Sequence, residues 1–161
     1  MIPRIKKILY ATDLSASASH AFGYAIRIAL NENAKISIIN VCEKLTNNTN
    51  IKMRSNDFAT AKNRLTEIIR SKLDQYFEKE KSDDEKEQSD ECQFSKFIEN
   101  VYITSGMPVE SIIAQAETGG YDLIVMGTHG HGFLYSALIG STAQKMVQQS
   151  KIPALVVRLQ D

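Results

Sequence analysis

The chain has no tryptophan, only two cysteines and three prolines among 161 residues, and no net charge, with 19 basic side chains against 19 acidic ones. Each shortage excludes something. Cys42 stands in an apolar run and Cys92 in a charged stretch. Two such residues are too few for a disulfide framework, so both are expected as free structural thiols in a reducing cytoplasm. Balanced charge sets up no global field toward nucleic acid or acidic lipid, and neither is expected as a partner. No apolar run approaches the roughly 18 residues of a membrane span, so a soluble protein without membrane association is expected. The opening MIPRIKKILYATD passes from basic residues straight into a strand-like run with no small-residue cleavage site, which argues against a signal peptide.

The charge balance conceals one asymmetry. Glu78 to Glu91 carries eight acidic and three basic residues, leaving the remainder of the chain at +5. With almost no apolar residue to bury, this stretch cannot offset the entropy of ordering it. It reads as an acidic, mobile insertion near residues 79–92 within one domain spanning 1–161, a length that fits a single core.

Elsewhere, apolar β-branched runs alternate with segments of helical period, the pattern of successive βα units around a parallel sheet. Lys7 to Thr12 is the first strand, ended by Asp13, and Ser15 or Ser17 can cap the helix that follows. That helix repeats apolar residues from Ala18 and Phe22 to Ala29 and Leu30 at spacings of three and four. Lys35 to Val41 is the second strand. A long helix from about Asp57 to Lys79 follows, with a stripe of Phe58, Ala61, Leu65, Ile68, Ile69, Leu73 and Tyr76. Lys96 to Ile103 supplies the third strand, and Gly106 and Pro108 lead into a short helix ended by Gly119 and Gly120. Asp122 to Met126 is the fourth strand, apolar past its first residue as a strand covered on both faces should be. A helix from about Ser141 to Gln149 precedes the last strand, Ala154 to Leu159.

The chemistry is concentrated after the fourth strand. Gly127, Gly130 and Gly140 follow a G-x2-G-x9-G-[ST] spacing between a buried strand and a helix. Glycines there let backbone N–H groups approach a ligand that a Cβ would hold away. Ser141 and Thr142 add hydroxyls at a helix start, where free N–H groups and the positive dipole end favour an anion. A Walker loop would need Lys before the hydroxyl residue, but Gly140 is followed directly by Ser141. The dinucleotide fingerprint would need Gly or Ala three residues after Gly132, where Tyr135 stands.

With this spacing the chain resembles the universal stress protein family, whose ATP-binding members carry the same glycines between the fourth strand and the last helix. The likeness extends to Ala11-Thr12-Asp13 closing the first strand, Gly106-x-Pro108, Asp122-Leu-Ile-Val-Met-Gly127, and Ile152-Pro153 before a valine-rich end. It implies an α/β fold with a five-stranded parallel sheet in the order 3-2-1-4-5, Rossmann-like, with helices on both faces. The nucleotide is then expected at the switch between strands one and four. By the same resemblance, Ala11, Thr12 and Asp13 border the nucleotide, and Asp13 contacts the nucleoside or helps hold a phosphate-bound Mg2+ or Mn2+. The backbone at Val41 meets adenine, Met126 and Gly127 line the ribose, and His129, Gly130, Gly140, Ser141 and Thr142 face phosphates. The ligand is ATP, AMP or ADP. A homodimer through the edge strand Ala154, Leu155, Val156, Val157 and Arg158 is also implied, beside a protein partner that the residues do not name.

Plainer readings stand beside these. Asp13 before Ser can simply close a turn with its carboxylate. His129 and His131 alternate without a Cys or carboxylate to complete a zinc site, and His20 reads as a surface or boundary residue. No Ser-His-Asp or Cys-His arrangement can be assembled, so no catalytic residue is assigned. The expected function is a nucleotide-binding regulatory or stress-response protein with weak ATP hydrolysis at most. The alternatives are a slow ATPase or a phosphoryl- or adenylyl-transfer enzyme on this fold, and an interaction protein that binds no nucleotide.

Overall fold

A computed structural model describes residues 1–43, 55–78, 90–128 and 139–159. The elements run β1 (Lys7–Ala11), α1 (Ala16–Glu32), β2 (Lys35–Glu43), α2 (Ser55–Glu78), α3 (Asp90–Phe97), β3 (Ile98–Gly106), α4 (Pro108–Thr118), β4 (Leu123–Gly127), α5 (Ser141–Gln149) and β5 (Ala154–Val157). The strands form one five-stranded sheet in the order β3-β2-β1-β4-β5. Every neighbouring pair is parallel. The expected fold and strand order are what is found.

The period of two along each strand divides the core into two layers. Ile8 and Tyr10 of β1, Ile36 and Ile38 of β2, and Leu123 and Val125 of β4 pack against α1 and α2. Leu9, Ile39, Ile124 and Met126 face α4 and α5 on the other side. Strands buried on both faces need continuous apolar runs, which is why KILYA and LIVMG show no polar alternation. In α2 the buried residues are Leu65, Ile69 and Leu73, spaced by four on one stripe. Among the described residues no helix is long and apolar enough to cross a membrane.

Several boundaries, and the burial of one residue, differ from the sequence expectation. Lys96 and Phe97 close α3 instead of opening β3, because Phe94 and Phe97, three apart on one helical face, are drawn onto α2. Phe97 stacks on Phe77 at 5.3 Å, and the Arg70 guanidinium lies 4.3 Å from the Phe94 ring centroid. At the other end β3 runs on to Gly106, paired with a longer β2 through Cys42 and Ser105. Tyr76, expected in the buried stripe, is 37 % exposed, and Phe77 takes the inward place beside it. Finally, β5 ends at Val157, so Arg158 and Leu159 lie beyond the strand and are exposed. Of the acidic insertion, residues 79–89 lie outside the described residues, whereas Asp90 to Cys92 begin α3.

Candidate functional site

The order β2-β1-β4 sends the chain away from β1 toward α1 and away from β4 toward α5, on opposite faces of the sheet. A crevice must open where those two connections part, at the carboxyl ends of β1 and β4. Its first wall is the turn from β1 into α1. Thr12 stays tied to the sheet, its N–H donating to the Ile39 carbonyl at 3.0 Å while Asn40 Nδ2 donates to the Thr12 carbonyl at 2.8 Å. Two short side chains then shape the turn. Thr12 Oγ1 accepts the Leu14 N–H at 3.0 Å, and Asp13 Oδ1 accepts the Ser15 N–H at 2.9 Å. Leu14 between them takes a left-handed backbone, φ 66°. Ser15, and not Ser17, is the N-cap of α1, its Oγ accepting the Ala18 N–H at 3.2 Å. Tyr10 donates its phenol to the Ala18 carbonyl at 2.7 Å. Burial pushes that phenol well above the usual tyrosine range, so it remains a donor.

The opposite wall depends on an approach that a side chain would forbid. A Cβ on Gly127 would stand 2.4 Å from Ser17 Oγ and within 2.8 Å of the Ser17 and Ala18 backbone. Without it, the end of β4 rests directly on the first turn of α1. The next residue, Thr128, joins three elements. Its N–H is shared between the Val157 carbonyl and Ser17 Oγ, each at 3.0 Å, and its carbonyl accepts the Gly140 N–H at 2.7 Å. Gly140 is thereby held as the N-cap of α5, with an extended backbone (φ −67°, ψ 155°) and no side-chain cap. Among the described residues, the start of α5 therefore presents backbone N–H groups and the positive end of its dipole without a side-chain cap.

Between these walls lies a cleft of about 660 Å3, the size of a small-molecule site. It brings together Ala11, Thr12, Asp13, Val41, Met126, Gly127, Gly140, Ser141 and Thr142, nine of the residues singled out from the sequence. The other two, His129 and Gly130, lie outside the described residues, as does His131. Asp13 both lines the cleft and closes its own turn, so the plainer reading of that carboxylate holds alongside its placement. Leu14, Asn40, Cys42, Pro108, Ile112 and Thr128 also line the cleft and were not anticipated. Pro108 at the first turn of α4 had a legible signal in Gly106-x-Pro108, but nothing in a leucine or an asparagine announces a cleft wall. Cys42 is a half-buried free thiol, the side chain of Cys92 lies outside the described residues, and half-buried His20 packs edge-on to Tyr24 at 5.5 Å. Among the described residues no three His, Cys, Asp or Glu side chains gather as a metal site.

The Universal stress protein family, represented by its sequence model, matches residues 4–158. The chain belongs to the universal stress protein family. Universal stress protein MJ0577 of Methanocaldococcus jannaschii is 28% identical over 165 residues, spanning 95% of this chain and 94% of that protein. Among solved structures, universal stress protein UspA from Lactobacillus plantarum superimposes with a TM-score of 0.66 at 22% identity, covering 98% of this chain and 100% of its own. A universal stress protein in complex with cAMP gives 0.61 at 21% identity, covering 97% and 98%. At these identities the structures speak for the shared fold.

The Gly127 contact makes a direct demand on this universal stress protein. Gly127→Ala places a methyl group against backbone atoms that cannot rotate away. It is expected to cost about 2 kcal/mol or more of stability, the range of overpacked cores. Urea denaturation checks this, and an unchanged midpoint would show that α1 and β4 are not in contact as described.

Proposed function

We propose that the cleft binds an adenine nucleotide and that the protein acts through binding, as a regulatory or stress-response protein. The observation that carries this reading is the α5 start: a helix terminus with no side-chain cap among the described residues, fixed by the Gly140 to Thr128 hydrogen bond, on the rim of a cleft whose other rim carries Asp13. Anions are favoured at such a terminus by roughly 0.3–1 kcal/mol for the dipole alone, and more where backbone N–H groups point at the ligand. Gly130, Gly140, Ser141 and Thr142, with His129, would face phosphates. Met126 and Gly127 would border the ribose, and the Val41 backbone would meet the base beside apolar Ile39, Pro108 and Ile112. A relative with this fold has been solved in complex with cAMP, an adenine nucleotide, which supports the same class of ligand here.

Asp13 offers one carboxylate, so a Mg2+ or Mn2+ ion would be held mainly by the phosphates with Asp13 as a protein ligand. The polar groups that the described cleft presents are backbone N–H groups, hydroxyls, the Asn40 amide, the Cys42 thiol and this carboxylate, groups suited to holding and orienting a nucleotide. Fast phosphoryl transfer recruits a lysine, an arginine finger or a positioned base as well. Hydrolysis is accordingly expected to be weak, and a protein turning over many ATP molecules per minute, with loss on changing Asp13, would replace this reading with the enzymatic one.

Gly140→Val tests the site. The extended backbone at Gly140 is one that a β-branched residue adopts, and an unchanged circular dichroism spectrum checks that the fold persists. Calorimetry with ATP, ADP and AMP should show affinity lowered by roughly tenfold or more, about 1.4 kcal/mol. Wild-type affinity in this variant would remove Gly140 from the site.

The second surface concerns β5, the last strand of the sheet beside β4. Ala154, Leu155 and Val156 are only half-buried, and a sheet edge carries backbone groups able to pair with another strand. We read it as the contact of a two-fold homodimer, with Arg158 just beyond the paired segment. Light scattering at tens of micromolar should give twice the chain mass, and the mass of a single chain would rule this contact out.

A further inference from the structure

Leu14 stands out on two independent counts. Its backbone is left-handed, φ 66°, a conformation unfavourable for a residue with a Cβ and visited routinely by glycine and asparagine. The residue is 41 % exposed and lines the cleft. The strain is imposed from both sides, since the Leu14 N–H is tied to Thr12 Oγ1 and the next N–H to Asp13 Oδ1. Strain of this kind persists only where the surroundings over-determine it, and it gathers at ligand sites. Asparagine would take the same backbone at lower cost, and a leucine half in water gains the free protein little.

We propose that Leu14 is an affinity-determining residue of the cleft, its isobutyl group covering the sugar and base of the bound nucleotide. This rests on the nucleotide reading of the same site. An alkyl group makes no hydrogen bond and is poor company for a phosphate, so its contact belongs to the less polar half of the ligand. On the described walls that half has apolar neighbours in Ile39, Pro108 and Ile112, whereas the phosphates are drawn to the α5 start. Ligand binding would then bury the exposed part of the side chain, and the strained turn holds Leu14 where it can do so.

The test is calorimetry with AMP, ADP and ATP on the full chain. Leu14→Asn is expected to weaken all three by the same factor, about fivefold, as befits partial burial of one leucine. Its unliganded melting temperature should match or exceed that of the wild type, because asparagine suits the left-handed turn. Leu14→Met, which keeps an apolar chain, should bind within about twofold of wild type. Unchanged affinity in Leu14→Asn overturns the inference and leaves the nucleotide reading standing. A loss that grows with the number of phosphates also overturns it, since the turn would then be positioning phosphates. No heat from the wild-type protein with any of the three removes both the reading and the inference.

Discussion

At Gly127 the end of a central strand touches the backbone of a helix, and the geometry of the cleft depends on that contact. It brings Ser17 Oγ within 3.0 Å of the Thr128 N–H, and Thr128 in turn holds β5 through Val157 and α5 through Gly140. One missing Cβ thus allows β4, β5, α1 and α5 to meet at a single residue. The apolar packing on both faces of the sheet supplies the bulk of the stability, and this polar junction decides where the two helix starts stand relative to one another.

The two helix starts differ in chemistry. α1 is closed by its own Ser15, whose hydroxyl satisfies an N–H of the first turn, and its following turn is further anchored by Tyr10. α5 begins at a glycine, so among the described residues the N–H group that a residue like Ser15 satisfies in α1 has no side-chain cap there. Positive potential therefore reaches the cleft from an α5 start whose N-cap residue has no side chain, whereas at α1 the Ser15 hydroxyl accepts one of the first-turn N–H groups. Asp13, held by the turn it closes, sets a negative group on the opposite rim. A ligand with phosphates at one end and a polar, partly apolar body at the other matches that polarity.

Much of this was legible in the residues. The five strands and their order followed from apolar runs and from the family likeness, and the described part of the glycine spacing does converge with Asp13 on one cleft. The α3 to β3 boundary was not, because a three-residue spacing of two phenylalanines competes with the strand pattern and only the packing on α2 decides it. Gly127 was assigned to the ligand, yet its immediate reason is the backbone of Ser17, a neighbour that no local pattern announces. Leu14 carries no local signal for a similar cause. Leucine has no preference for a left-handed turn, and the signal lay in the short polar side chains of Thr12 and Asp13 that enforce it.

The central claim is that this cleft holds an adenine nucleotide, and mass spectrometry of the ligand released on denaturing freshly purified protein tests it most directly. The account predicts an adenine mono-, di- or triphosphate among the released molecules, and its identity would also show how many phosphates the α5 start accepts. Protein that releases no nucleotide, and takes up none when incubated with ATP, ADP or AMP, would contradict it.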